Sequence, residues 1–161
     1  VCIRLNFPPD PQLISKLRSG IHTIIQRTSR PLLVVPHQET PMENVLLAFD
    51  GSSKAKEALY LAAYFALVWG TRISVVSVLS QQTSEKTQTF ARDYLQARNI
   101  EARFLIEEGP NSQGILQAAG NQNSDFIIMG SYGFAPVKEV VLGSTVDQLL
   151  VDTPIPVLIC R

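Results

Sequence analysis

Three glycines with hydroxyl residues beside them lie near the carboxyl end of the chain. Gly130-Ser131-Tyr132-Gly133 is followed, after nine residues, by Gly143-Ser144-Thr145. Glycine lets the backbone approach a ligand closely, and successive N–H groups in such a loop bind anions. Ser144 and Thr145 begin a predicted helix, whose unpaired N–H groups favour the same anion. The spacing indicates a phosphate or nucleotide loop, and the open alternative is a tight connection whose glycines serve only the turn. It matches neither a Walker A loop nor a Gly-x-Gly-x-x-Gly fingerprint.

Asp50 is a second candidate, because it ends an apolar run and precedes Gly51-Ser52-Ser53. It is predicted either to contact a ligand or to cap the first helix. Lys138 is close enough to Gly133 in sequence to reach a phosphate, although a solvated surface lysine is favoured. His22 and His37 have no partners at metal-ligand spacing, and no nucleophile elbow is present, so neither zinc nor a serine nucleophile is expected.

The elements that must position these residues follow from hydrophobic periodicity. Apolar runs predict strands at 45–49, 73–79, 102–106, 126–129 and 156–160, and helical spacing predicts helices at 54–69, 83–99, 112–121 and 144–151. Strands alternating with helices predict a parallel sheet covered on both faces, with ligands bound beyond the carboxyl ends of the strands. The same spacing predicts that Tyr60, Tyr64 and Trp69 pack inward from the first helix.

An internal repeat sets the predicted domain organisation. Residues 28–35 resemble residues 153–160 at an offset of 125. We therefore expect residues 1–36 to be the C-terminal remnant of a preceding repeat, 37–42 to be a linker, and 43–161 to be a complete domain.

The remnant is not expected to bind a nucleotide. At the same offset the three glycines fall on Leu5, Pro8 and Arg18. Leucine and proline lack the backbone freedom of glycine, and proline lacks an N–H donor.

Composition limits the class of protein. Of 161 residues, 45% are hydrophobic and 17% are charged, and 14 basic residues balance 14 acidic ones. These values indicate a globular fold and argue against a nucleic-acid or anionic membrane surface as a partner. No apolar run has the length of a membrane span. Cys2 and Cys160 suggest neither a metal site nor a disulfide framework, and we expect two buried thiols in a cytoplasmic protein.

The residues quoted above resemble the universal stress protein family. The resemblance is carried by 45–52, 126–133, 137–145 and 153–160, and Gly-x2-Gly-x9-Gly-(Ser/Thr) is the mark of its ATP-binding branch. It implies an α/β fold of the adenine nucleotide alpha hydrolase-like type, with an open five-stranded parallel sheet in the order 3-2-1-4-5 and helices on both faces. It also implies ATP, with AMP or ADP as alternatives, and Mg²⁺ or Mn²⁺ carried by the phosphates. The implied role is that of a stress sensor or regulator with at most slow ATP hydrolysis.

The resemblance also implies a set of binding residues. Asp50 would contact the ribose or adenine side, and Ala48 and Val78 would lie against adenine. The ribose and phosphates would be held by Gly130, Ser131, Gly133, Phe134, Gly143, Ser144 and Thr145. Phe134 and Ala135 replace the polar or basic residues of many relatives, and Ser80 replaces an acid. Phe134 and the short link from Leu79 to Thr83 favour the alternative, a stress adaptor that binds no nucleotide and acts through dimerisation and protein contacts.

The resemblance implies pairing through the last strand. In this family dimers form through that strand, which here is Val157 to Cys160. Leu32 to Val35, its equivalent in the first repeat, is available as a partner within one chain or between two chains.

Overall fold

The computed structural model describes residues 1–4, 24, 28, 30–36, 39–80, 83–131 and 144–160, with the backbone alone for Glu85 and Ser144. The strands are β1 (Cys2–Arg4), β2 (Leu32–Val35), β3 (Asn44–Ala48), β4 (Arg72–Val78), β5 (Ala102–Glu107), β6 (Phe126–Gly130) and β7 (Val157–Cys160). The helices are α1 (Ser53–Trp69), α2 (Thr89–Gln96), α3 (Asn111–Asn121) and α4 (Ser144–Asp152), with a 3₁₀ turn at Glu85–Gln88 before α2.

All seven strands form one sheet in the order β1-β2-β7-β6-β3-β4-β5. Every neighbouring pair is parallel except β2 and β7, which are antiparallel. The prediction of a five-stranded, all-parallel sheet is therefore wrong for the sheet as a whole. The expected order 3-2-1-4-5 describes only its parallel part, β5-β4-β3-β6-β7.

The two additional strands come from the first 36 residues. β1 pairs in parallel with β2, and β2 in turn covers the edge of β7. We did not predict β1 from its short sequence, although the 125-residue offset places Cys2–Arg4 on residues 127–129 within β6. The segment predicted as the remnant of a preceding repeat thus contributes two strands to the same sheet as the rest of the chain.

The register between β2 and β7 is symmetric with respect to the repeat. Leu33 lies opposite Leu158, and the offset of 125 makes these two residues equivalent. Leu32 lies opposite Ile159, and Val34 lies opposite Val157. Equivalent residues thus exchange places across the pair, as they do across a two-fold axis.

Helices cover the sheet on both faces and enclose two cores. On one face α1 and α2 pack against Val45, Leu47, Val75 and Ile128. On the other face α3 and α4 pack against the residues that alternate with them, including Leu46, Val76 and Ile127. Buried on both sides, these strands are apolar at successive positions, as parallel strands require.

The outer surface of α1 differs from prediction. Its buried residues are small, mainly alanines at 55, 58, 62 and 63. Tyr60, Tyr64 and Trp69 are instead 43%, 54% and 63% exposed, so the prediction that they pack inward is wrong. Because alanine side chains are short, α1 lies close to the sheet. The large residues next to these alanines on the helix remain at the protein surface.

The helix predicted over 83–99 is shorter than expected. Its first part is the 3₁₀ turn, where the Ser84 N–H donates to the Thr87 hydroxyl at 2.9 Å. Buried Gln88 donates its amide to the Leu105 carbonyl at 2.6 Å, which holds the turn against β5. Polar β-branched residues and this inward amide favour a short turn over a regular helix.

Gly130 lies where the end of β6 meets the start of α1. A Cβ atom built there would lie 2.9 Å from the Lys54 carbonyl carbon and 3.0 Å from the Ala55 nitrogen. The absence of a side chain at Gly130 therefore allows β6 to approach the backbone of α1. This packing role was not part of the predicted phosphate loop.

The two cysteines have different environments, so the prediction of two buried thiols is wrong for Cys2. Cys2 is exposed, and Cys160 is buried at the end of β7. Loss of hydration, followed by the nearby Glu57 carboxylate, raises the pKa of Cys160 from 9.0 to about 12, with Lys54 acting in the opposite direction. Within the described ranges, no helix has the length and apolar character needed to cross a membrane.

Replacing Gly130 by alanine should destabilise the fold. The added methyl group must displace the first turn of α1, and overpacking of this kind costs roughly 1–3 kcal/mol. Urea denaturation should show a lower midpoint. Gly120→Ala is the matched control, because nothing lies within 4 Å of its Cβ position and alanine favours a helix, so its midpoint should stay or rise. Equal midpoints for the two variants would contradict the close contact at Gly130.

The two thiols should differ in their reaction with a disulfide reagent at pH 8.5. The exposed Cys2 should react at once, whereas Cys160 should react only after unfolding in urea, because burial and a raised pKa keep it protonated. Since its folded pKa lies above its unfolded value, its contribution to stability is present below pH 9.0 and is lost as the pH rises towards 12. Cys2→Ser is the control, and immediate labelling of that variant would contradict the burial of Cys160.

Candidate functional site

A cavity of about 170 Å³ lies at the carboxyl ends of β3, β4 and β6. Within the sheet, β4 pairs with one edge of β3 and β6 pairs with its other edge. Connections therefore diverge from this point, which is where open α/β sheets bind ligands. The amino-terminal ends of α1, α3 and α4 surround the same cavity.

The cavity has an apolar floor and a polar rim. The floor is formed by Ala48, Val76, Val78, Ile115, Met129 and Val146, and the rim carries Asp50, Ser52, Ser80, Thr83, Asn111, Ser131 and Thr145. Among the described residues that line it, Asp50 is the only one with a formal charge. An apolar surface with a few placed polar groups is typical of small-molecule sites.

Asp50 faces the cavity from the turn between β3 and α1. Its Oδ1 accepts the Ser52 N–H at 2.9 Å, and Gly51 has a φ of 82°, which glycine adopts without strain. Ser52 caps α1 by accepting the Ala55 N–H at 3.2 Å. The alternative in which Asp50 caps the helix is therefore wrong, and its carboxylate is held at the cavity by a local turn.

Two hydrogen bonds fix the backbone immediately before Asp50. The Phe49 N–H donates to the Val76 carbonyl at 2.8 Å, which continues the pairing of β3 with β4. The buried Ser77 hydroxyl donates to the Phe49 carbonyl at 2.5 Å. Both backbone groups of Phe49 are thus tied to β4, so Ser77 positions Asp50 without lining the cavity.

Ser131 combines complete burial with an unsatisfied hydroxyl. Its backbone N–H donates to the Cys160 carbonyl at 2.7 Å, which extends the pairing of β6 with β7. Its Oγ has no hydrogen-bond partner among the described residues, although Ser131 is 0% exposed. A buried hydroxyl without a partner costs about 1–3 kcal/mol. Because the residue lines the cavity, its hydroxyl is suited to a bound ligand.

The structure brings six of the predicted binding residues to one cavity: Ala48, Asp50, Val78, Gly130, Ser131 and Thr145. Ser144 begins α4 as predicted, and its side chain lies outside the described structure. Gly133, Phe134 and Gly143, together with Lys138, also lie outside the described residues. Ligand contact by any of these residues stays a prediction.

Part of the rim and of the floor was not predicted from the sequence. Ser52, Ser80, Thr83 and Asn111 line the cavity, as do Val76, Ile115 and Met129. Their positions in the chain could have indicated them, because each lies near the end of a strand or the beginning of a helix at the predicted carboxyl edge. In the part of the chain that is described, no group of three or more His, Cys, Asp or Glu residues is arranged to hold a metal.

A family model described as the universal stress protein family matches residues 79–161, just over half of the chain. A universal stress protein of Thermus aquaticus is 30% identical over 135 residues, covering 74% of this chain and 98% of that protein. A universal stress protein of Synechocystis is 29% identical over 150 residues, covering 90% of this chain and 52% of its own length.

Solved structures share the fold. A universal stress protein from Archaeoglobus fulgidus superimposes with a TM-score of 0.81 at 24% identity, covering 99% of this chain and 60% of that one. Another universal stress protein, solved in complex with cAMP, has a TM-score of 0.61 at 15% identity, covering 76% and 99%. The chain thus spans little more than half of the Synechocystis and Archaeoglobus proteins. From the matching family model and the 30% identical relative, the chain belongs to the universal stress protein family.

Proposed function

We propose that the chain binds an adenine nucleotide, ATP or alternatively AMP or ADP, in the cavity at the carboxyl edge and acts as a cytoplasmic stress sensor or regulator. The observation that carries this proposal is the buried Ser131 hydroxyl at the wall of the cavity, which has no hydrogen-bond partner among the described residues. A ligand with heteroatoms would satisfy that hydroxyl, and a flat apolar ring would cover Ala48 and Val78.

Four further observations support a nucleotide. The cavity lies where connections diverge from a parallel sheet, as in other nucleotide-binding folds. Asp50 faces it with an acceptor group suited to ribose hydroxyls. The amino-terminal end of α4, which favours an anion, lies beside it at Thr145. The fold neighbour solved with cAMP carries an adenine nucleotide as well.

The metal would arrive with the ligand. Mg²⁺ prefers oxygen ligands and is commonly held by substrate phosphates together with one or two carboxylates. Among the described residues that line the cavity, Asp50 alone carries a carboxylate, so Mg²⁺ or Mn²⁺ would be carried by the phosphates. We propose at most slow hydrolysis, because Asp50 is the one candidate base among those described residues and already accepts the Ser52 N–H.

ATP with Mg²⁺ should stabilise the protein against heat. A ligand at about 100 times its Kd adds roughly 2.7 kcal/mol, a shift that differential scanning fluorimetry detects. Ser131→Ala should weaken ATP about tenfold by calorimetry while leaving the urea midpoint unchanged or higher, because it removes a hydroxyl that no described residue satisfies. Gly130 is not a suitable position for testing nucleotide binding, because a side chain there would also collide with the backbone of α1. No shift at millimolar ATP in the wild-type protein would contradict nucleotide binding.

The alternative function is a non-nucleotide adaptor acting through protein contacts. The exposed surface of α1 favours it, because Tyr64, Leu67, Val68 and Trp69 are each more than half exposed. Exposed apolar residues in a cluster mark interaction sites. Retention of a protein partner by the chain together with no response to ATP would favour the adaptor.

We further propose a tandem arrangement, in which residues 1–36 end one repeat and residues 43–161 form the next. The symmetric β2–β7 register supports it, because Leu33 and Leu158 are opposite each other and equivalent in the repeat. The structure shows β2 paired with β7 within one chain. When β2 is absent, we propose that two chains form a homodimer through β7.

Deleting residues 1–36 should expose the apolar edge of β7 and cause association. An unpaired apolar strand recruits another edge, and two copies of β7 can pair by the same symmetric register. Light scattering after size exclusion should show a dimer or larger species, with the full chain as the control. A variant that remains a monomer would argue against this pairing.

A further inference from the structure

Two hydroxyl residues that follow β4 contribute to one side of the cavity. They are Ser80 and Thr83, and both line it. Thr83 is 8% exposed, so its hydroxyl is largely withdrawn from solvent. Neither residue belongs to the glycine loop, and Thr83 was not a predicted binding residue.

Reciprocal hydrogen bonds hold Thr83 in place. The Ser80 N–H donates to the Thr83 carbonyl at 3.1 Å, and the Thr83 N–H donates to the Ser80 hydroxyl at 3.1 Å. The Ser80 hydroxyl in turn donates to Thr83 Oγ1 at 3.1 Å. Thr83 Oγ1 thus accepts one hydrogen bond from Ser80 and retains its own hydrogen for another acceptor.

The position of this hydroxyl relative to the floor determines what it can meet. Ala48 and Val78 come from adjacent strands and form an apolar surface suited to the face of a flat ring. Thr83 follows the end of β4, beside that surface. A ring lying on the floor would present an edge to Thr83, and ring edges carry the nitrogen acceptors.

We propose that Thr83 is a specificity-determining residue of this cavity, whose hydroxyl donates a hydrogen bond to a ring nitrogen of a bound purine. This inference rests on the proposed nucleotide function. Sites that hold a ligand by one buried hydrogen bond reject analogues without the matching atom, because the protein group is then left unpaired. Thr83 would therefore distinguish the base, while the glycine loop and the start of α4 hold the remainder of the nucleotide.

The test combines ligand and protein changes. Calorimetry would measure adenosine and its 1-deaza, 3-deaza and 7-deaza analogues, each of which replaces one ring nitrogen by carbon. The wild-type protein should bind one analogue about tenfold more weakly than adenosine, the loss expected for one buried hydrogen bond. Thr83→Val, which keeps the shape and removes the hydroxyl, should bind adenosine about tenfold more weakly and no longer distinguish that analogue. Thr83→Ser should restore the wild-type pattern.

Thr145→Val is the matched control, because Thr145 lines the cavity at the start of α4. It should weaken adenosine and the three analogues by the same factor. Equal affinities of the wild-type protein for all four nucleosides would overturn the inference without any variant. So would a Thr83→Val variant that binds all four as the wild type does or weakens all four equally. If the wild-type protein bound neither nucleosides nor nucleotides, that result would instead overturn the proposed function, and this inference with it.

Discussion

Parallel hydrogen bonding of β3 to both β4 and β6 is the constraint on which the rest of this structure depends. It makes three strands end at one edge of the sheet, and it sends the chain to opposite sides of β3. The helices α1 and α4, which follow β3 and β6, then begin around the same point, and so does α3. The cavity is therefore a consequence of topology, and its chemistry depends on the residues that happen to follow each strand.

Small residues determine how closely the layers approach one another around that edge. The alanine stripe on α1 and Gly130 at the end of β6 allow the start of α1 to touch the sheet backbone. Gly114 of α3 has a similar role, since its Cβ would lie 3.0 Å from Val78. Close layers leave Tyr60, Tyr64 and Trp69 of α1 at the surface. A glycine in a ligand-binding pattern can thus be required for packing.

The antiparallel pair β2–β7 gives the sheet a second kind of constraint. Among the strands of residues 44–160, the apolar β7 is outermost on one side. The backbone N–H and C=O groups on its outer edge need hydrogen-bond partners. β2 supplies them from the first part of the chain, and their register places equivalent leucines opposite each other. Apolar residues of both strands also enter the core beneath α4. The sheet is therefore continuous across the boundary predicted between the two repeats.

The sequence by itself determined the strands of residues 44–160, the helices α1, α3 and α4, and the edge at which a site should lie, because buried parallel strands and amphipathic helices have periods that can be read directly. It also brought Asp50, Ser131 and Thr145 into consideration from spacing and resemblance. Only the tertiary structure decided that the sheet has seven strands, because strand pairing depends on contacts between distant segments. It likewise decided that Ser52 caps α1, that Ser131 lacks a partner and that Thr83 lines the cavity. Hydrogen-bond satisfaction and burial depend on which side chains meet in space, and no local pattern records that.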